Sequence, residues 1–158
     1  MIMDLETALV NRLAAALPMA EVLAYPAPAE QYTLTHPCGA VLVGYSKSTY
    51  GAPEPTDLLV QTRKMTFKIT VLARELHSDT GAYRFLEAAR TVLAGWKPGN
   101  AHKVVPVRDR FVSLDDGVWR YALTVSLTTI ALETAEPEPF VTLQRITLTE
   151  HLTMENGT

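Results

Sequence analysis

The stretch His36–Arg74, HPCGAVLVGYSKSTYGAPEPTDLLVQTRKMTFKITVLAR, holds the two patterns that decide the architecture of this chain. Between Arg63 and Arg74 the alternation is strict. Met65, Phe67, Ile69, Val71 and Ala73 share one side, while Lys64, Thr66, Lys68, Thr70 and Arg74 dominate the other. A period of two with one apolar side describes a half-exposed strand of an antiparallel sheet. Ahead of it, Gly39–Gly44 is a short continuous apolar run, the pattern of a strand covered on both faces, and Gly44 is expected to close it. The intervening Tyr45–Pro55 contains Gly51, Pro53 and Pro55, which disfavour both helix and central strand. It is expected as a long surface loop, a kind of segment enriched in binding roles.

Working outward, Ile2, Leu5, Leu9, Leu13 and Leu17 recur at helical spacing, with Asp4 placed as an N-cap and Pro18 as a stop. This predicts an amphipathic helix over about residues 4–17. Glu21–Tyr25 reads as a short strand ended by Pro26-Ala27-Pro28, and residues 31–44 as extended chain broken at His36-Pro37. Beyond the long strand, Ala82, Phe85, Leu86, Ala89, Val92, Leu93 and Trp96 trace one stripe of a second helix, with Ser78 or Asp79 as its cap. Gly95 and Pro98 end it. His102–Val112 is expected as a strand bent by Pro106, hence an edge or bulged one, with a turn at Ser113–Gly117. Trp119, Tyr121, Leu123, Val125 and Leu127 alternate with Arg120, Ala122, Thr124, Ser126 and Thr128 in a last strand suited to pair with Met65–Ala73. The sum is an α+β fold: an antiparallel or mixed sheet of about four to six strands with both helices packed on one face.

After Glu133 the composition changes. Glu136-Pro137-Glu138-Pro139 reads as a solvated hinge, and Phe140–Glu150 regains strand character through Val141, Leu143, Ile146 and Leu148. The expected organisation is a domain over residues 1–133 and an extended arm over 134–158. The arm's strand could add to its own sheet or to a neighbour's.

The 158 residues suffice for one ordinary domain, and 47% hydrophobic with 20% charged residues is a globular composition. A net charge of -3 argues against a dedicated nucleic-acid binder. Cys38 is the single cysteine, so folding requires no oxidising compartment and the cytoplasm is the expected site. No apolar run approaches the roughly 20 residues of a spanning helix, so no membrane partner is expected.

Nothing in the chain spells out chemistry. His36, His77, His102 and His151 are scattered, and the His36-Pro37-Cys38 pair reads most simply as a strand-entry corner. Gly44-Tyr45-Ser46 fails the nucleophile-elbow pattern because position 48 is Ser48, and it fails the phosphate-loop pattern as well. Asp115-Asp116 is explained by turn chemistry. A hydrolase or nuclease would need His36, His102 and Asp57 to meet in space. Lys64, Lys68 and Arg120 are expected on the polar face of two paired strands, either as a solvated row or as a docking surface for an anion or a subunit. Trp96 and Trp119 suit the core. Tyr45 and Tyr50, in a segment of little periodicity, suit either loop packing or an interface.

Taken together, HPCGAVLVGYSKSTYGAP (His36–Pro53), VQTRKMTFKITVLAR (Val60–Arg74), GAYRFLEAARTVLAGW (Gly81–Trp96) and VRDRFVSLDDGVWRYALTVSL (Val107–Leu127) resemble the Mu-like phage tail-terminator family. The resemblance covers nearly all of residues 1–133 and is weakest after Glu133. It implies a non-enzymatic virion protein of the tail and neck, without cofactor or metal. Such a protein assembles as a homo-hexameric ring at the head-proximal end of a contractile tail. It would stop growth of the tube and sheath proteins, offer a docking surface to the head–tail connector, and meet DNA only as it passes through the ring lumen. The alternatives are another neck or head–tail connector protein, an adaptor of a contractile machine, or a small hydrolase. Under this reading Tyr45, Ser46, Lys47, Ser48, Thr49 and Tyr50 are expected to contact a neighbouring subunit or the tail, with Tyr50 as anchor and Lys47 as its charged partner. Lys64, Lys68 and Arg120 would add to that surface, and Phe140, Val141, Leu143, Ile146 and Leu148 would form an arm that augments an adjacent sheet.

Overall fold

The computed structural model describes residues 1–26, 28 and 31–134. Its elements run α1 (Ile2–Ala16), β1 (Glu21–Ala24), β2 (Gly39–Tyr50), β3 (Val60–Ala73), α2 (Ala82–Leu93), β4 (Val105–Asp115) and β5 (Val118–Leu132). The strands form one five-stranded sheet in the order β1-β2-β3-β5-β4. Strand β1 joins β2 in parallel, and every other pairing is antiparallel. The fold is therefore α+β with a mixed sheet, as the sequence implied. The two alternating strands pair in the register their patterns suggest, with Met65 opposite Leu127 and Ala73 opposite Trp119.

Both helices lie on one face. Leu5, Leu9 and Leu13 of α1 and Phe85, Leu86, Ala89 and Leu93 of α2 bury against Val41, Val43, Phe67, Ile69, Val71, Leu123 and Val125. A 3.6-residue stripe thus meets a two-residue alternation, and the hydrophobic effect stabilises the layer contact. Helix α1 starts at Ile2, so Asp4 lies in its first turn instead of capping it. Helix α2 takes Gly81 as its N-cap. Ser78 is used one step earlier, its Oγ accepting the Thr80 N–H at 3.3 Å in the preceding turn.

The opposite face is not uniformly solvated. Leu34 comes down on Ala40, Leu42, Leu72 and Val118, with Leu23, Tyr25 and Tyr32 around them, making a second small core. Tyr25 spans this layer: its hydroxyl lies 2.9 Å from Thr70 Oγ1 and donates to the Lys68 carbonyl at 3.3 Å. Its ring rests on Gly44, where an added Cβ would come within 2.4 Å of the ring. Gly44 is required by that close approach and does not close the strand, contrary to expectation. At the strand entry, His36 Nδ1 accepts the N–H groups of Cys38 and Gly39 at 3.1 and 3.3 Å, a corner of the kind expected. Arg74 then ties the corner down by donating to the carbonyls of His36 and Leu34.

Two other boundaries differ. Tyr45–Tyr50 is not loop: β2 runs through Tyr50, which stands opposite Arg63, and the connecting loop shortens to residues 51–59. The backbone of β3 supplies ladder partners that the polar side chains of this segment do not advertise. Likewise β4 extends to Asp115, and the turn contracts to Asp116-Gly117, with φ of 50° and 73°. Two positive φ values in succession are the mark of the tight two-residue hairpin, for which Asp-Gly is well suited. Strand β4 is a sheet edge, and its ladder slips at Pro106/Arg108 and Phe111/Ser113, so the prediction of a bulged edge near Pro106 agrees with the structure.

Candidate assembly surface

The residues expected to act as one loop are sorted by the fold onto two faces. Tyr45 pairs with Phe67 and Lys47 with Thr66, so Ser46 is the extra residue of a bulge. The alternation restarts beyond it. Ser48 and Tyr50, opposite Met65 and Arg63, fall on the helix side, and Lys47 and Thr49, opposite Thr66 and Lys64, on the other. Tyr50 and Lys47, expected to serve a contact together as anchor and charged partner, therefore point to opposite faces of the sheet. The cation beside the Tyr50 ring is Arg63, its guanidinium carbon 5.5 Å from the ring centroid. Arg63 Nε also donates to Ser48 Oγ at 3.0 Å.

Tyr45 and Tyr50 then differ in kind. Tyr45 is half-buried, meets Phe67 edge-on at 5.7 Å between centroids, and has its hydroxyl 2.6 Å from Ser48 Oγ. That hydrogen bond, helped by Arg63, holds its phenol below the usual tyrosine range. Tyr50 is 52% exposed, with Arg63 over its ring. Tyr45 belongs to the sheet; Tyr50 is available to a partner.

Lys64, Lys68 and Arg120 do share the face away from the helices, as their alternation required. The structure nevertheless separates their surroundings. Lys64 is exposed and Lys68 half-buried. Arg120 is half-buried and donates to the Tyr32 carbonyl at 2.8 Å, so it pins the segment that covers the second core. Its Nε is buried without a hydrogen-bond partner among the described residues.

Sequence reasoning missed the most conspicuous surface. Along β4, Val105, Val107, Phe111 and Leu114 are each 49–55% exposed, and the strand's outer edge pairs with no described strand. Phe111 is the hub of an aromatic row on the helix side, 5.6 Å from Tyr121 and 6.3 Å from Trp119. Tyr121 in turn meets Tyr83 at 5.9 Å, and Tyr83 meets His77 at 5.2 Å. Burial and the bond with Tyr83 raise the Tyr121 phenol above its usual range. The four apolar β4 residues do not share one face. Phe111 and Leu114, opposite Tyr121 and Trp119, lie on the helix side, and Val105, opposite Ser126, lies on the other. Val107 is a bulge residue, so no two-residue alternation reports them.

The pieces of a hydrolytic site are not brought together. His36 precedes the start of β2 and Asp57 follows its end, and an extended strand of that length holds them about 35 Å apart. Among the described residues no group of three His, Cys, Asp or Glu side chains gathers to hold a metal ion. Phe140, Val141, Leu143, Ile146 and Leu148, expected to form a donated arm, lie outside the described residues.

Comparison with known proteins adds two findings. A family model described as "Gp37 protein" matches residues 9–150. Among solved structures, a chain of a "Virion of native gene transfer agent (GTA) particle" has a similar fold, with a TM-score of 0.52 and 15% identity. The match covers 80% of this chain and 95% of that one. No curated protein sequence matches.

Proposed function

This chain belongs to the Gp37 family, and on that premise we propose that it is a structural protein of a phage-like particle, a tail terminator that closes into a ring. The observation that carries the reading is the β4 edge: eleven residues of strand with an open outer side and four half-exposed apolar side chains. An open edge with exposed apolar side chains can pair with another chain, and Pro106, the two bulges and the exposed Arg108-Asp109-Arg110 run restrict that pairing to a partner that matches them. The opposite edge of the sheet is β1, a strand of four residues in a different environment. Two unlike lateral surfaces on one protomer suit a head-to-tail contact, which repeats into a ring when the rotation closes. The similar fold of a chain from a virion supports the setting.

In this role six copies ring the head-proximal end of the tail, stop polymerisation of tube and sheath, and present the outer face to the head connector. DNA passes through the lumen, and the chain performs no catalysis. The arm beyond Glu133 adds a strand to a neighbour's sheet, so a chain truncated after Glu133 should stay folded but associate more weakly.

Light scattering followed by negative-stain imaging tests the ring directly, with a six-fold particle expected. Val107 is 54% exposed at the first β4 bulge, and Val107→Lys should leave a folded chain of protomer mass. Rings formed by that variant would remove the edge from the interface. A wild-type chain that stays monomeric at high concentration, alone and with tail tubes, would overturn the ring itself.

A further inference from the structure

We infer that the loop of residues 51–59 of one copy docks in the groove between α1 and α2 of a second copy, giving the ring its second contact. The inference rests on the ring reading above and names the surfaces that would meet.

The floor of the groove is mostly small side chains, with Trp96 and the charged residues on its walls. Two shallow depressions of about 600 and 400 Å³ share Ala16 and Val92 and so run together along the outer side of the helix pair. Ala8, Ala15, Ala16, Ala88, Val92 and Trp96 line it. Its charge is mainly positive. Arg12 lies over Trp96 at 4.8 Å and donates to the Val92 carbonyl, which keeps its cation on the groove wall. Arg84 lines the second depression and is exposed, with no partner among the described residues. The acid nearby, Glu87, is already bound by Arg90.

The loop has the complementary character. It reads GAPEPTDLL, with Glu54 and Asp57 as its only charged residues, and both are exposed. Leu58 and Leu59 project beside them at 52% and 45% exposure. The loop is also preformed. Gly51 N–H donates to Thr62 O, Glu54 N–H donates to Val60 O, and the Leu59 carbonyl accepts the Glu133 N–H while the Leu59 N–H donates to the Glu133 carboxylate. Pro53 and Pro55 restrict it further. An ordered apolar knob with two acids loses little conformational entropy on docking, and it matches an apolar groove flanked by arginines in polarity and in charge. Because knob and groove are different surfaces of one protomer, the contact is head-to-tail and consistent with ring closure.

The test uses the full-length chain and charge reversal. Asp57→Lys and Arg84→Glu, each folded by circular dichroism, should raise the concentration of half-assembly about tenfold, since every repeat of the contact carries the repulsion. The double variant Asp57→Lys/Arg84→Glu should recover to within about threefold of wild type. Leu58→Asp should weaken assembly without recovery by either charge change. If the single variants assemble like wild type while Val107→Lys does not, the ring stands and this contact is wrong. A double variant no better than either single variant also overturns it. A wild type that never assembles removes both.

Discussion

Gly44 and Tyr25 set the local limits on change. The Tyr25 ring occupies the space of a side chain at position 44 and is fixed there by its hydroxyl, which reaches Thr70 and the Lys68 carbonyl. Gly44→Ala must displace an aromatic ring held at both ends, and overpacking of this kind costs about 1–3 kcal/mol. Urea denaturation should show that loss, with Tyr25→Phe losing about 1 kcal/mol from the hydroxyl alone. The two tyrosines of β2 give the opposite contrast. Tyr45→Ala should lower the denaturation midpoint clearly, because its ring packs on Phe67. Tyr50→Ala gives up only an exposed contact with Arg63, worth about 0.5–1 kcal/mol, and should weaken assembly far more than the melt. An intact ring with normal capping from Tyr50→Ala would take Tyr50 out of the interface.

At the scale of elements, what could be read from the sequence was whatever the hydrophobic pattern recorded. Strand β3, strand β5 and the stripe of α2 were legible because burial on one face leaves a periodic trace, and even the pairing of Met65–Ala73 with Trp119–Leu127 followed from it. The end of β2 was not legible. Ser46, Lys47 and Thr49 are exposed, so only backbone hydrogen bonds to β3 keep this stretch extended, and no side-chain period reports them. The β4 surface was hidden for a related reason, its bulges shifting the apolar residues out of phase. The layer formed by Tyr25, Tyr32 and Leu34 depends on a tertiary return of the chain that no local signal encodes. Helix α2 carries a pH-dependent element of its own. Its hydrogen bond to Arg90 depresses the Glu87 carboxyl below the ordinary range, so the contribution is present above the unfolded-state pKa and fades as pH falls through the folded one. Thermal melts from pH 7 down to about pH 3 should show a small excess loss for wild type over Glu87→Gln. Parallel curves would mean the ion pair contributes nothing measurable in water.

For the whole molecule, the two proposed contacts differ in physical kind, and salt should separate them. The β4 edge associates through backbone pairing and burial of Val105, Val107, Phe111 and Leu114, terms that added salt does not screen, with Arg108, Asp109 and Arg110 beside them. The loop and groove combine Leu58 and Leu59 with Asp57 opposite Arg84, and that charge term acts across an exposed rim where the Debye length is about 10 Å at 0.1 M salt and about 3 Å at 1 M. Raising sodium chloride should therefore weaken wild-type assembly part of the way and then stop, because the apolar terms remain. Asp57→Lys starts from repulsion, so salt should strengthen its assembly, and the two curves should converge at high salt. Sedimentation velocity on both chains at about 0.05, 0.2 and 1 M salt would follow the convergence. Parallel curves would place Asp57 outside the contact. Dissociation of wild type to protomers at high salt would show that charge, and not apolar burial along β4, holds the ring together.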